Sequence, residues 1–371
     1  MPVNNKTKKI RYAVVGLGHI AQVAVLPAFA HAGRNSVLTA LVSNDSEKLK
    51  QLSRRYHVKL TYSYEQYDDC LRSGEVDAVY IALPNNMHAE YSIPAANAGV
   101  HVLCEKPMAV TEKECEAMIR AARRHKIKLM IAYRLHFEEA NLKAIEMVKS
   151  GKLGEPRIFD SLFGLQVKEG NIRTQAELGG GTLYDLGVYC INAARHLFQS
   201  EPIEAFAYSA GLNDRRFKEV DEMTSALMRF PGERLASFTT SFGSADAASY
   251  EIIGTKGKLR LDPAYEYAMA LKHYLTINGK STSRTFARRD QFAPELLYFS
   301  DCIAKNIEPE PSGEEGLADV RIVRALYRAA KTGRPVKIKP ASIRKRPTLQ
   351  QEKHRPPVAK PKLIHVEGAS T

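Results

Sequence analysis

Residues 10–15, IRYAVV, form a short apolar run that stops at Gly16. Gly16-Leu17-Gly18-His19-Ile20-Ala21 follows, and helix-like spacing then covers residues 21–32. A strand ending in G-x-G-x-x-A that opens a helix is one half of a parallel crossover unit. The first glycine permits the tight turn, the second lets backbone approach a ligand, and a small third residue lets the helix pack on the sheet. The helix N-terminus then presents free N–H groups and the positive end of a dipole, which suit a pyrophosphate. The pattern therefore predicts a dinucleotide site; an ordinary glycine-rich strand–helix turn is the plainer alternative.

The alternation continues through the first third of the chain. Apolar runs at 37–42, 76–83, 100–104 and 127–132 read as strands. Residues 46–56, 88–98 and 111–125 read as helices, with Asp45 or Ser46, and Thr111 with Glu114, in capping positions. Strands that are apolar throughout imply a parallel sheet covered on both faces. After residue 133 and one more helix at 138–149, strand-like runs dominate: 156–166, 203–210, 223–230, 233–242, 250–253, 257–261 and 268–277. A helix at 181–198 interrupts them, and helices near 294–305 and 316–332 follow. The expected fold class is α/β: an N-terminal Rossmann domain over residues 1–132, then an α+β domain over 133–340 with a large open, mostly antiparallel sheet.

Charge and cysteine usage narrow the classes of function. The net charge is +13, but eleven Lys/Arg and two Glu lie from Lys331 onward, so most of the excess is terminal. Residues 341–371, rich in Lys, Arg and Pro, are expected to form a basic, solvated and disordered tail rather than a nucleic-acid site. Five scattered cysteines without a C-x-x-C suit reduced thiols, with no metal site. No stretch is long and apolar enough to span a bilayer, and the polar start leads at once into a strand, so a cytoplasmic location is expected.

The end of the second strand bears on the cofactor. An acidic residue there holds a ribose 2′-hydroxyl and selects NAD. Here the strand ends Leu41-Val42-Ser43-Asn44, with Lys48 one helical turn on. A hydroxyl and a cation favour NADP over NAD; Asp45 is the counter-argument, and helix capping is its other role. Ligands of open α/β sheets bind beyond the carboxyl ends of strands. That places Pro84, Asn86 and His88, and the Glu105-Lys106-Pro107 turn, at the crevice. His88 reads better as a packing histidine than as a catalyst.

In the second half, Gly179-Gly180-Gly181 opens a helix that carries Asp185 and Tyr189 four residues apart on one face, with Asn192 and His196 extending it. Together with the glycine turn and Glu105-Lys106-Pro107, this helix resembles the glucose-fructose oxidoreductase, inositol dehydrogenase and rhizopine-catabolism superfamily. The likeness runs from about Lys9 to Pro340. It is nearest the glucose-fructose and aldose-aldose oxidoreductase branch, which has tyrosine where many members have histidine. Supporting segments are Ala132-Tyr133-Arg134-Leu135-His136, Asp214-Arg215-Arg216-Phe217, Gly313-Glu314-Glu315-Gly316 and Thr332-Gly333-Arg334-Pro335-Val336.

The resemblance implies Tyr189 as general acid/base, Lys106 as its support and Asp185 as the group that orients substrate. A nearby lysine cation favours a phenolate over an unperturbed phenol of pKa about 10. The cofactor would meet Gly16, Leu17, Gly18, His19, Ile20, Ser43, Lys48, Leu83, Pro84, Asn86, His88, Glu105, Lys106 and Arg134. Tyr133, Asp185, Tyr189 and Asn192 would face the sugar. The expected activity oxidises an aldose to an aldonolactone and reduces a second sugar with tightly held NADP(H). A dehydrogenase with exchangeable NADP, acting on an aldose or a dihydrodiol, is the nearest alternative, and an inert cofactor-binding regulator is the alternative of another class. A homodimer or homotetramer is expected, without nucleic-acid or membrane partners.

Overall fold

The structure, a computed structural model, describes residues 8–211, 213–343, 345–366 and 368. The first domain contains β1 (Ile10–Val15), α1 (Leu26–Ala32), β2 (Ser36–Val42), α2 (Ser46–Tyr56), β3 (Leu60–Tyr62), α3 (Tyr67–Arg72), β4 (Ala78–Ile81), α4 (His88–Asn97), β5 (His101–Glu105), α5 (Glu112–Arg124) and β6 (Leu129–Ala132). Its six strands lie in the order β3-β2-β1-β4-β5-β6, with every pairing parallel. The order reverses between β1 and β4, so the crevice of this doubly wound sheet opens above their carboxyl ends. β1, β4, β5 and β6 are buried almost throughout, as the unbroken apolar runs require. Asp45 caps α2 by accepting from Lys48 N at 2.9 Å, and Thr111 with Glu114 forms a complete capping box on α5.

The second domain contains α6 (Glu139–Lys149), β7 (Pro156–Gln166), α7 (Val188–Leu197), β8 (Glu204–Ala210), β9 (Met223–Phe230), β10 (Arg234–Ser241), β11 (Gly243–Gly254), β12 (Gly257–Leu261), β13 (Leu271–Ile277), β14 (Lys280–Phe286), α8 (Phe292–Lys305), α9 (Gly313–Thr332) and β15 (Val336–Lys337). Nine strands form one sheet in the order β14-β13-β12-β11-β7-β10-β9-β8-β15, antiparallel except where β10 meets β7. Strand residues alternate between the helix-covered face and an open one; in β9 every second residue is buried. Phe159, Phe163, Ala236, Phe238 and Met228 pack with Leu183, Leu186 and Ile191 of the covering helix and with Ile322 and Leu326 of α9.

Several expectations change. β3, β14 and β15 are too short or too polar to stand out as apolar runs, and β14 is exposed along nearly its whole length. The helices expected at 21–32 and 181–198 each begin with a π-helical turn, Ala21–Val25 and Leu183–Gly187. α8, placed by sequence in the second domain, packs on the first: Phe292, Leu296, Leu297 and Phe299 join Tyr12, Val14 and Leu26, and Ser300 Oγ lies 2.8 Å from the Tyr12 hydroxyl.

Of the tail expected to be disordered, residues 345–366 lie as a strap against the body, while residues 344, 367 and 369–371 fall outside the described residues. Gln351 is buried against Glu310, Arg355 donates to His31 O at 3.0 Å, and Ile364 is 4% exposed in the first-domain core. Composition gives no sign of this because the strap is held by scattered contacts to distant residues, such as Gln351 to Glu310 and Arg346 to Glu201, and by one apolar anchor, which leave no periodic signature.

Candidate active site

The site grows from four strand ends and one helix. At the first, Gly16 has φ +90, and a Cβ there would lie 2.7 Å from Ala82 O and 2.9 Å from Leu83 Cδ2, so only glycine passes beneath the loop after β4. A Cβ on Gly18 would meet nothing within 4 Å. That open space over the turn is where a pyrophosphate fits. Leu17 and Ile20 turn their side chains into the first-domain core, so any part they take in holding a ligand falls to their main chain. His19 is half-buried, and Arg173 from the second domain acts on it electrostatically.

Past β4, Leu83 is buried, Pro84 leads into a turn at Asn85–Met87, and Asn86 Oδ1 is buried with no hydrogen-bond partner. An orphaned acceptor at a crevice is a position that a bound nicotinamide nucleotide can satisfy. Asn85 Nδ2 donates to Gly179 O at 2.8 Å and ties this loop to the second domain's glycine run. His88 is fully buried, its nitrogens 2.8 Å from Pro107 O and 2.9 Å from Leu83 O. It staples two strand ends together, and burial holds its pKa below the ordinary value. Past β2, Ser43 is buried with its Oγ accepting from Asp45 N, and Lys48 Nζ lies 3.8 Å from Asp45 Oδ2. The glycine turn and the orphaned Asn86 acceptor thus suit a dinucleotide, whereas His88, expected to meet the cofactor, has both nitrogens taken by main-chain carbonyls.

Past β5, Glu105 is buried beneath the turn, accepts from the Tyr80 hydroxyl at 2.8 Å, and has its pKa raised by burial. Lys106 projects across to the second domain. Its Nζ donates to Asp185 O at 2.9 Å and to Asp185 Oδ1 at 3.1 Å, and lies 4.6 Å from the centre of the Tyr189 ring. Lys106, Asp185 and Tyr189, distant in sequence, therefore come together.

Two arginines complete the cluster. Arg173, which sequence reading did not single out, donates through Nε to Asp185 Oδ2 at 2.6 Å. Arg134 stands 5.0 Å from the Tyr189 ring and 5.2 Å from that of Tyr267, and donates to Gln291 Oε1 at 2.7 Å. Arg173 lies in a single 3-10 turn, Ile172–Thr174, with no periodic or motif signal. A Cβ on Gly180 would collide with Arg173 O, and Gly179 and Gly181 are held at positive φ against Asn85 and Tyr327.

Electrostatics follow from this packing. Burial alone would push the Asp185 carboxyl up, but Arg173 and Lys106 hold it far below the usual carboxylate range. Burial alone would lower Lys106, but Tyr189, Asp185 and Glu105 together raise it, so the ammonium is retained. Both Asp185 oxygens are engaged by cations, so its first task is to hold Lys106 and Arg173 rather than to meet substrate directly. Phe163 and Tyr265 pack against the Tyr189 ring at 5.6 and 5.9 Å.

Asn192 and Tyr133, expected at the sugar, sit elsewhere. Asn192 accepts from His136 Nε2 and donates to Glu315 and Asp319, deep in a buried network. Tyr133 is 3% exposed and stacks on His136. Both look outward on a helical or motif pattern, but their neighbours from α9 close over them.

Comparison with known proteins agrees with this geometry. Residues 10–133 match an oxidoreductase family described by its NAD-binding Rossmann fold, and residues 141–260 match the GFO/IDH/MocA C-terminal domain. An aldose-aldose oxidoreductase structure from Caulobacter crescentus superposes with a TM-score of 0.86 at 38% identity, over 89% of this chain and 100% of that one. A 3-ketoreductase from Actinomadura kijaniata, solved with NADP, superposes with a TM-score of 0.79 at 27% identity, over 87% and 98%. An NADP-dependent D-xylose 1-dehydrogenase from Haloarcula marismortui is 31% identical over 340 residues, 89% of this chain and 93% of that protein.

Proposed function

The chain belongs to the GFO/IDH/MocA oxidoreductase family, and from that premise we propose that it is an NADP-dependent sugar oxidoreductase. It oxidises an aldose at C1 to an aldonolactone and reduces a second sugar carbonyl to an alditol, with NADP(H) held through the cycle. The observation that carries this reading is the Lys106 ammonium, fixed by Asp185 and set 4.6 Å from the Tyr189 ring at the crevice of the first sheet. The names of the aldose-aldose oxidoreductase and of the xylose dehydrogenase support the substrate class and the cofactor.

A nicotinamide nucleotide held over the glycine turn and beside Asn86 would supply the hydride acceptor for C1 and the hydride donor for the second sugar. Tyr189 takes the C1 hydroxyl proton as hydride leaves, giving lactone, and later returns that proton to the alkoxide formed on the second sugar. The Lys106 and Arg134 cations, 4.6 and 5.0 Å from the ring centre, stabilise negative charge on the phenolic oxygen during the exchange. Asp185 and Arg173 keep Lys106 from swinging to solvent.

A sugar panel assayed with and without added NADP tests the reading. The expected result is nicotinamide that co-purifies and is reduced by an aldose alone. Turnover that requires added NADP⁺ would instead favour an aldose or dihydrodiol dehydrogenase with exchangeable cofactor. Absence of turnover with every sugar would leave the dihydrodiol dehydrogenase, checked by adding a dihydrodiol to the panel, and the inert regulator.

The open face of the second sheet exposes Ile158, Leu162, Leu227, Leu235 and Tyr208. Leu235 lies directly opposite Ile158, while Leu162, Leu227 and Tyr208 face Thr239, Ser237 and Ser225, so the apolar groups are interleaved with small polar ones. A second copy of the chain is the partner inferred for this face, and light scattering at a dimer or tetramer mass is the expected result. Among the described residues no helix is long and apolar enough to cross a membrane.

A further inference from the structure

The end of β2 presents a contradiction. Asp45 places a carboxylate two residues beyond Ser43, where an adenosine 2′-phosphate would sit and be repelled. The C-terminal strap arrives at that point. Arg288 donates to Val358 O at 3.0 Å, and Arg55 of α2 donates to Lys362 O at 2.8 Å. Gln22, in the first turn of the helix that follows the glycines, grips Ile364 twice. Its Nε2 donates to Ile364 O at 2.9 Å, and its Oε1 accepts from Ile364 N at 2.9 Å. Ile364 itself is buried in the first-domain core. The next residue, His365, sets its Nδ1 3.0 Å from Asp45 Oδ2, while Lys48 N occupies Oδ1. Lys360 lies two residues before Lys362, whose carbonyl is held by Arg55 of α2, and so adds a cation to the same strap segment. The strap thus brings a histidine against the Asp45 carboxylate at this strand end, where Glu65, accepting from Asn44 Nδ2 at 3.0 Å, is a second acid.

We propose that the C-terminal strap, residues 359–366, is part of the nucleotide site: His365 covers the Asp45 carboxylate, and with Lys360 it makes this edge of the crevice accept a 2′-phosphate. The strap is a specificity element that selects NADP over NAD. A bare Asp45 favours the 2′-hydroxyl of NAD as acceptor and opposes a phosphate. With Oδ2 engaged by His365 and Lys48, and Oδ1 by the helix N-terminus, the carboxylate has little left to offer a ribose hydroxyl. Gln22 and Ile364 do not touch that charge; they are the latch that holds His365 in place. This inference rests on the nicotinamide nucleotide of the preceding reading but not on which sugar is turned over.

Direct binding keeps the two separable. Affinities for NADPH and NADH are measured on the full-length protein by nicotinamide fluorescence, with 2′,5′-ADP as a competitor that carries the 2′-phosphate alone. Because His365 is 60% exposed, His365→Ala leaves the fold intact. It is expected to weaken NADPH and 2′,5′-ADP about three- to fivefold and to leave NADH within twofold, the scale of an exposed charge pair. Truncation after Val358 is expected to widen the same difference to about tenfold, because Lys360 is lost too. In an Asp45→Asn background, His365→Ala should no longer alter the NADPH to NADH ratio. Equal losses for both nucleotides, no loss for either, or an undiminished His365 effect in Asp45→Asn would each overturn the proposal. If truncation unfolds the chain, His365→Ala and Lys360→Ala carry the test alone. Failure of the sugar assay with these binding shifts intact would sink the sugar reading and leave the strap's role standing.

Discussion

Two charged clusters lie on consecutive turns of the same helical stretch, and they behave in opposite ways. At its start, Asp185 and Tyr189 meet Lys106, Arg173 and Arg134 at the edge of a crevice, and the Lys106 and Asp185 side chains keep 12% and 19% of their surface open. Two turns on, Asn192, Arg195 and His196 meet Glu315 and Asp319 of α9, and Arg195 has no exposed surface. Arg195 contacts Glu201, Glu315 and Asp319 at 2.5 to 2.7 Å, and His196 donates to Glu315 at 2.8 Å. In the sealed cluster every charge is answered by another protein charge. Burial alone would raise Glu315, but Arg195 and His196 hold it well below the usual range; burial pushes its neighbour Asp319 up to about 6 and His196 down to about 4. In the open cluster the acid is answered and Arg134 is buried, but Tyr189, Lys106 and Arg173 keep part of their surface open. Residue types alone do not separate a site from a strut; the unfilled side does.

The sharpest way to break this contrast is Tyr189→Phe. Removing only the phenolic oxygen should lower kcat by about 10²- to 10⁴-fold with NADPH affinity unchanged; an unaltered rate would remove Tyr189 from the chemistry. Arg195→Met should do the reverse. It leaves Glu315 and Asp319 buried without their cation, so urea denaturation should show a loss of about 3–5 kcal/mol, while kcat of the folded fraction holds. A loss in rate without a loss in stability would erase the distinction between the clusters.

Asp185→Asn tests the middle ground. Loosening Lys106 and Arg173 should lower kcat by about 10- to 100-fold. The pH profile gives a second readout. The Asp185 carboxyl is depressed in the folded state, so its stabilisation is complete above the unfolded value of about 3.9 and fades as pH falls below it. Lys106 is raised, so its contribution is complete below about 10.4 and fades as pH rises further. The acid limb of wild-type stability should therefore flatten in Asp185→Asn while the neutral plateau keeps its shape.

The smallest structural effects come from the glycines. Gly18→Val meets no protein atom at Cβ, so stability should stay within about 0.5 kcal/mol while nucleotide affinity collapses in titration. Gly16→Ala faces Ala82 O and a positive φ, and should cost about 1–3 kcal/mol before any ligand is added. Equal stability losses at the two positions would refute the assignment of one glycine to the fold and the other to the ligand.

Much of this was legible in one dimension. The glycine turn, the parallel first sheet and the Lys106, Asp185 and Tyr189 set all rest on local patterns: apolar runs of strand length, glycines at fixed spacing, and a four-residue helical step. What stayed hidden was contact between distant segments. Arg173 gave no signal because its partner is twelve residues away across a glycine run. Asn192 shares the helix with Asp185 and Tyr189, but its surroundings belong to α9.

The sequence by itself determined which elements form and which chemistry the crevice can hold, because capping, periodicity and glycine conformations act over a few residues. Tertiary structure alone decided which charges remain available. Asp185 is engaged by Lys106 and Arg173, Asn192 is enclosed, and a tail that reads as solvated is latched by Gln22 onto the glycine-turn helix. Desolvation and pairing depend on what packs on the far side of each group, and that is set by segments far away along the chain.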